Sequence, residues 1–288
     1  MSAAAPAAPA TPATPGHRIG ALLAATHPGP ALAVTVGAAG LAAAAGQDAR
    51  WVALCAAMVL AGQLSIGWSN DALDWRRDAA SGRQDKPVAR GAVGPRTAWR
   101  AAAAAALACV PVSLAYGLAA GATHLVAVAS GWAYNLGLKR TALSWLPYAV
   151  SFGLLPAFVV LGLPGSPLPP AWAILAGALL GVGAHLANVL PDIDDDLATG
   201  VRGLPHRLGR RWTRWLATAA LLSATVLLVA GPPGRVDGLG WAALALVAGL
   251  VLAGAALAAA RPRAPFLVTI AVAGVDVLLL LSRGPTLA

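Results

Sequence analysis

Apolar residues run through this chain in long blocks, and the polar residues that interrupt them fall at regular places. Blocks of bilayer-spanning length cover residues 22–46, 51–70, 97–119, 121–138, 143–163, 171–190, 211–231, 238–260 and 264–282. They predict an all-α integral membrane protein of about nine transmembrane helices. The breaks carry turn residues: Gly46-Gln47-Asp48, Pro164-Gly165-Ser166-Pro167, Gly231-Pro232-Pro233-Gly234 and Arg261-Pro262-Arg263. Stretches such as Ala101 to Ala108 insert only weakly on hydropathy, but their small side chains let helix backbones approach closely. Residues 1–18 are rich in Ala, Pro and Thr, with no basic segment before a hydrophobic core. They are predicted to be a disordered tail, leaving 19–288 as one polytopic membrane domain.

The polar stretch that closes the second block, Asn70 to Gly91, organises the rest. On a helix, steps of four residues advance only about 40°, so Asn70, Asp74 and Asp78 share a face over about 12 Å, with Asp71 beside them. Like charges at this spacing repel, and near hydrocarbon each acid costs about 2.5–3.5 kcal/mol on insertion scales. A shared cation removes both penalties. The pattern then recurs: Asn188, Asp192, Asp196, Gly200, Pro205 and Gly209 follow Asn70, Asp74, Asp78, Gly82, Pro87 and Gly91, each 118 residues later. Constant spacing predicts two similar halves around a central cavity, each with an acidic helix face and then a basic loop. Asp194, about 200° from Asp192 on a helix, is expected to face away.

Composition narrows the classes. Of 288 residues, 58% are hydrophobic and 11% charged, and the mean hydropathy is +0.72. A soluble chain carries about 25% charged residues. The net charge of +9 would point to nucleic acid in a soluble protein, but the positive-inside rule explains it here, and no nucleic-acid partner is expected. With the N-terminus cytoplasmic, 17 of the 20 Lys and Arg residues fall on the inner side, leaving Arg50, Arg235 and Arg283 outside. Both acidic stretches then lie on the cytoplasmic face of the cell membrane. No glutamate occurs, and eight of the eleven aspartates lie in the two repeated stretches. Cys55 and Cys109 stand singly in apolar blocks and are expected to be small buried hydrophobes.

Carboxylate and amide oxygens suit a hard cation such as Mg²⁺, which keeps waters and bridges to phosphates. Arg83, Lys86, Arg90, Arg202 and Arg207 are placed to hold phosphate oxygens through charge-assisted hydrogen bonds. Two such clusters together match a Mg²⁺-bridged diphosphate. No Walker loop, nucleophile elbow or His-Glu-x-x-His motif occurs.

Asn70-Asp71-x-x-Asp74-x-x-x-Asp78 with Asp85-Lys86-Pro87 resembles the first signature of the UbiA superfamily of intramembrane prenyltransferases. Asn188-x-x-x-Asp192-x-x-x-Asp196-x-x-x-Gly200 resembles the second, and Tyr134 to Thr141 resembles the Tyr/Lys segment between them. The resemblance implies Mg²⁺-dependent transfer of a prenyl group from an isoprenyl diphosphate to a lipophilic, often aromatic, acceptor within the bilayer. It implies that Asn70, Asp71, Asp74, Asp78, Asn188, Asp192 and Asp196 hold metal and diphosphate. Arg83, Lys86, Lys139, Arg140 and Arg202 would contact diphosphate oxygens. Metal and cations would stabilise the departing pyrophosphate as the allylic C–O bond ionises. Asp74, Asp78, Asp192, Asp196 and Lys139 would thus be catalytic.

Trp68, Trp132, Tyr134 and His185 are candidates to face the carbocation or the acceptor. For each aromatic, packing or interfacial anchoring is the competing role. His27 has helix-end packing as its competing role, and Asp276 is a lone acid in the last block. Rival readings are a terpene cyclase without acceptor, phosphoribosyl transfer to a lipid phosphate, and a membrane transporter. Against the last, the acids cluster at one side instead of the midplane.

Overall fold

The computed structural model describes residues 15–257, 260–261 and 263–287, and these are helical with no strand among them. Eleven helices follow in order: α1 (Pro15–Ala24), α2 (Pro28–Ala44), α3 (Ala49–Ala80), α4 (Pro95–Ala115), α5 (Leu118–Leu136), α6 (Leu146–Leu161), α7 (Ala171–Val189), α8 (Ile193–Ala198), α9 (Leu204–Ala230), α10 (Gly238–Leu257) and α11 (Ala264–Ser282). Most apolar blocks of the sequence fall on one helix, but the block 22–46 runs across the break between α1 and α2. Residues 1–14 of the expected tail lie outside the described residues, and from Pro15 the chain is already helical.

Six stretches among the described residues are long and apolar enough to cross a bilayer. They are α3, α4, α7 with its continuation to Ala198, α9, α10 and α11. Helices α2 and α6 are apolar but shorter. The expected nine spans are therefore six by length and composition. Three blocks make the difference: α2 with 17 residues and α6 with 16 are shorter than the roughly 20 of a perpendicular crossing, and α5, with 19, carries His124, Tyr134 and Asn135 and is less apolar.

Local chemistry sets the helix ends. The Asp48 carboxylate caps α3 by accepting the backbone N–H groups of Arg50 and Trp51 at 3.0 and 3.1 Å. Proline opens α2, α4, α6 and α11, where its missing N–H costs nothing. Between α1 and α2 the chain breaks at His27, which takes a left-handed conformation (φ 55°, ψ 64°) directly before Pro28. A non-glycine residue there is strained. Gly67 of α3 lies so close that a Cβ would meet the Thr26 carbonyl oxygen at 2.5 Å. The break is thereby held against α3.

The helices pack in sequence order, α2 on α3, α3 on α4, α5 on α6 and α6 on α7, while α7 also packs on α9 and α11 closes against α9 and α2. The largest buried cluster runs from Leu41 and Met58 through Phe158 and Leu180 to Leu228 and Leu279. The outer faces stay apolar, with Leu107, Leu118, Leu252 and Leu278 exposed. Such a surface suits lipid.

Two polar ties cross the far end of the bundle. Arg283 donates to both carboxylate oxygens of Asp237 (2.6 and 3.0 Å) and to the Leu228 carbonyl (3.1 Å). Asp276, fully buried on α11, accepts the Thr225 hydroxyl of α9 at 2.6 Å.

The two acidic stretches share a turn but differ in their helices. After the first, Arg83 N–H donates to the Asp78 carbonyl, and after the second, Val201 N–H donates to the Asp196 carbonyl (3.0 and 2.8 Å). Gly82 and Gly200 are left-handed in both (φ 70° and 82°), the conformation this helix end requires. Upstream, α3 runs unbroken through Asn70, Asp74 and Asp78. The second stretch does not, because α7 stops at Val189, a 3₁₀ turn covers Leu190–Asp192, and α8 follows. Pro191 has no N–H to continue the ladder. The expected single helical face for Asn188, Asp192 and Asp196 is thus replaced by a bend.

Candidate active site

The polar ends of α3, α5 and α7 and the α1–α2 break surround one cavity of about 520 Å³. Asn70, Asp74 and Asp78 reach it from α3, Asn188 from the end of α7, and Asp192 and Asp196 from the bend that follows. Both acidic stretches therefore face one space. Arg77, Arg83, Lys86 and Lys139 line it as well.

The first stretch is buried and already compensated. Asp74 Oδ2 accepts Lys139 Nζ at 2.5 Å and Arg77 Nη2 at 2.9 Å. Arg77 also reaches Asp78 Oδ1 at 3.4 Å. The other oxygens, Asp74 Oδ1 and Asp78 Oδ2, are buried without a hydrogen bond. Asn70 is oriented by Asn135, whose amide donates to the Ile66 carbonyl and the Ser69 hydroxyl while its oxygen accepts from Asn70. The 3₁₀ turn Leu138–Arg140 carries Lys139 inward. Burial pushes its ammonium below the ordinary lysine range, and Asp74 opposes that shift.

The second stretch is more open. Asp192 and Asp196 are half-buried and Asn188 is exposed. Asp196 pairs with His206 Nε2 at 3.1 Å. Arg83 joins the halves: it grips Asp85 with two hydrogen bonds of 2.9 Å and lies 3.8 Å from Asp192. That grip, which outweighs burial, raises the Arg83 guanidinium above its usual range and lowers the Asp85 carboxyl. Asp194 turns outward, as expected, onto the exposed Arg210 (2.7 Å).

Several expected site residues lie elsewhere. Asp71 does not line the cavity; its side chain is buried against Lys86 (2.6 Å) and His27 (3.0 Å). One step along α3 from Asn70 turns it about 100° toward the α1–α2 break. Arg140 and Arg202 are exposed and point away, since each sits in a turn beside the residue that faces inward. Trp68 donates its indole N–H to the Leu22 carbonyl and packs on α1. Trp132 donates to Ser65 and meets Trp99 edge-on at 5.6 Å. These two tryptophans anchor helices, the competing role.

Tyr134 and His185 do line the cavity, and Tyr148, unremarked in the sequence, joins them. The His185 ring lies 4.8 Å from Tyr148 and 5.8 Å from Tyr134. Ser144 Oγ accepts the Leu204 N–H (3.0 Å), and among the described residues its own proton has one acceptor, His185 Nε2 (3.0 Å). The imidazole is then protonated at Nδ1, which has no partner. His185 offers a donor here and cannot serve as a neutral base at that nitrogen. Arg77, Asn135 and His206 were also missed. Arg77 carried a signal, three residues after Asp74 on the same face; His206 carried none, because only the fold after Pro191 brings it to Asp196.

No group of three or more His, Cys, Asp or Glu side chains among the described residues converges as a closed metal cage. The donor set is still all oxygen: at the cavity, among the described residues, Asp74 Oδ1 is buried without a hydrogen bond and Asp78 Oδ2 has only the Lys86 ammonium at 3.7 Å. That fits a hard cation that retains waters and takes further ligands from a phosphate.

The fold and site together define a helical membrane protein with a polar, charge-lined chamber at one end of an apolar bundle. The sequence profile of the UbiA prenyltransferase family matches residues 31–274, and the chain belongs to that family. No protein of curated function matches it. Among solved structures, it is similar to a digeranylgeranylglyceryl phosphate synthase at 16% identity and TM-score 0.68, over 93% of this chain and 99% of that one. A UbiA homologue from Archaeoglobus fulgidus bound to GPP and Mg²⁺ superposes at TM-score 0.68 and 14% identity, covering 90% and 98%. The apo UbiA homologue from Aeropyrum pernix K1 gives 0.64 and 21%, covering 92% and 96%. At these identities the likeness establishes the fold.

Proposed function

We propose that the protein transfers a prenyl group from an isoprenyl diphosphate to a lipophilic acceptor within the membrane, releasing pyrophosphate. One observation carries this reading: both acidic stretches, with Arg83, Lys86 and Lys139, line a single cavity that continues between apolar helices. A diphosphate with a hydrocarbon tail matches that division. Binding of GPP and Mg²⁺ by the Archaeoglobus fulgidus homologue supports it.

Asn70, Asp74, Asp78, Asn188, Asp192 and Asp196 are the residues that would hold Mg²⁺. When bound, the metal neutralises charge on the diphosphate and favours its departure. Lys139 and Arg77, now spent on Asp74, supply charge-assisted donors to the leaving pyrophosphate. Arg83, next to Asp192, does so from the opposite wall. The rings of Tyr134, Tyr148 and His185 border the space inward of the acids, where they exclude water and present aromatic faces to a developing allylic cation. The N-terminus and both acidic loops are assigned to the cytoplasmic side on the distribution of Arg and Lys.

The test is to supply purified protein with diphosphates of ten, fifteen and twenty carbons, with and without a phenolic acceptor. Pyrophosphate release and lipid products are measured separately. Metal-dependent release coupled to a prenylated acceptor is expected, abolished by EDTA and restored by Mg²⁺. Release with only cyclised hydrocarbon would replace transfer by cyclisation.

A further inference from the structure

Deep in the bundle a second compartment of about 50 Å³ adjoins the main cavity, and Val34, Gln63, Ile66, Ser151 and Phe152 line both. Its far wall holds His124 and Phe158. The volume is on the scale of one or two water-sized groups, at about 30 Å³ each.

Most of the compartment's wall is hydrocarbon, with Val59, Val128 and Leu155 among its side chains, but Gln63 and His124 place polar groups in it. His124 is 4% exposed and bonded through Nδ1 to the Ser113 hydroxyl at 2.9 Å. The Cys109 thiol lies 3.7 Å from the Met58 carbonyl, an acceptor for its S–H. Imidazole nitrogen is a far stronger acceptor than sulfur, so the Ser113 proton goes to Nδ1 and the hydrogen sits on Nε2. Nε2 has no partner among the described residues. Nor does the Gln63 amide. Gly62 lets α5 approach: a Cβ there would meet Val128 Cγ2 at 2.7 Å and the His124 Cε1 and Nε2 edge at 3.4 Å. A hydrocarbon tail filling this space would leave both groups unpaired, at about 1–3 kcal/mol each. The wall along α2, with Pro30, Ala31 and Val34, is apolar and suits the tail instead.

We infer that His124 and Gln63 form a subsite for an oxygen-bearing group of the acceptor, which rests on the transfer reading above. Gln63 precedes Asn70 by seven residues on α3, so the subsite lies about 10 Å along the helix from the acids. An acceptor held there points a hydroxyl or carbonyl oxygen away from the carbon that forms the new bond. Nε2–H donates to that oxygen, and the Gln63 amide accepts a hydroxyl proton or donates to a carbonyl.

The experiment measures binding of 4-methylphenol and 1,4-dimethylbenzene to protein in nanodiscs by isothermal titration against empty nanodiscs, with product formation from 4-methylphenol followed in parallel. The wild type is expected to prefer 4-methylphenol at least tenfold, since a site built around a hydroxyl rejects the isostere that lacks it. Gln63→Leu and His124→Leu should each remove most of that preference. Because His124→Leu also breaks the Ser113 bond, Gln63→Leu with wild-type Tm and monodispersity is the deciding variant. Equal binding of both probes by the wild type, or preference retained in folded Gln63→Leu, overturns the subsite. Selective binding without any prenylated product would leave the subsite standing and sink the transfer reading.

Discussion

Asp74 carries three partners on one oxygen, Lys139, Arg77 and more distantly Asn70 at 3.5 Å, while its other oxygen has none. Asp74→Asn keeps the shape and removes the charge, leaving the buried Lys139 ammonium without a carboxylate and Arg77 with Asp78 alone. Removing one partner of a buried pair costs about 3–5 kcal/mol. Asp74→Asn should therefore lower both Tm and pyrophosphate release, the latter at least about a hundredfold, near 2.7 kcal/mol of barrier. Adding Lys139→Met should recover much of the Tm and none of the turnover, which separates the ion pair's structural part from its chemistry. Asp276 is the opposite case. It lies in the core between α9 and α11, away from the cavity, with Thr225 as its one hydrogen-bond donor among the described residues. Asp276→Asn should leave turnover within about tenfold, or 1.4 kcal/mol; a loss as deep as that of Asp74→Asn would make it part of the site.

At the scale of the element, the Asp237–Arg283 pair fixes the end of α11 to the turn between α9 and α10. Arg283 holds the Asp237 carboxyl down to about 2. A carboxylate depressed below its unfolded value of about 3.9 adds stability that is complete above that pH and lost as pH falls toward 2. Wild type should thus lose Tm between pH 5 and pH 2.5 faster than Asp237→Asn, and parallel pH profiles would show the pair to be idle. Apolar blocks made the helices legible, since burial and lipid contact both demand long uninterrupted runs. The 118-residue echo, with Gly82 and Gly200 in register, marked where the paired turns fall; their left-handed backbone came only with the structure. Pro191 was visible in the sequence, yet spacing by fours assumed a helix through it, so the bend that opens Asp192 and Asp196 was lost. Asp71 was misassigned for a related reason: an acid next to a site residue looks like a ligand until Lys86, fifteen residues on, is seen to take it. Tyr148 and His206 were illegible because only helix packing brings them to the cavity.

At the scale of the whole molecule, the two acidic stretches lie far apart in sequence and close on one chamber, which constrains both topology and kinetics. Reporter fusions in the loops after Asp78 and after Asp196 should give the same side, and fusions near Gly165 and Gly234 the other. Opposite sides for the acidic loops would mean that the chamber does not form in the membrane. The kinetic consequence is sharper. If both stretches act on one diphosphate, Asp192→Asn should match Asp74→Asn in its loss of pyrophosphate release. Asp192 is half-exposed and its nearest cation, Arg83, is already held by Asp85, so the single substitution should leave Tm unchanged. Loss of activity there cannot be read as unfolding. Groups that serve one step as a unit are not additive. The double variant should then fall about as far as either single one, not by the product of the two. A fully multiplicative loss would mean two independent contributions, and undiminished release by Asp192→Asn would confine the chemistry to the first stretch and make the second a structural echo.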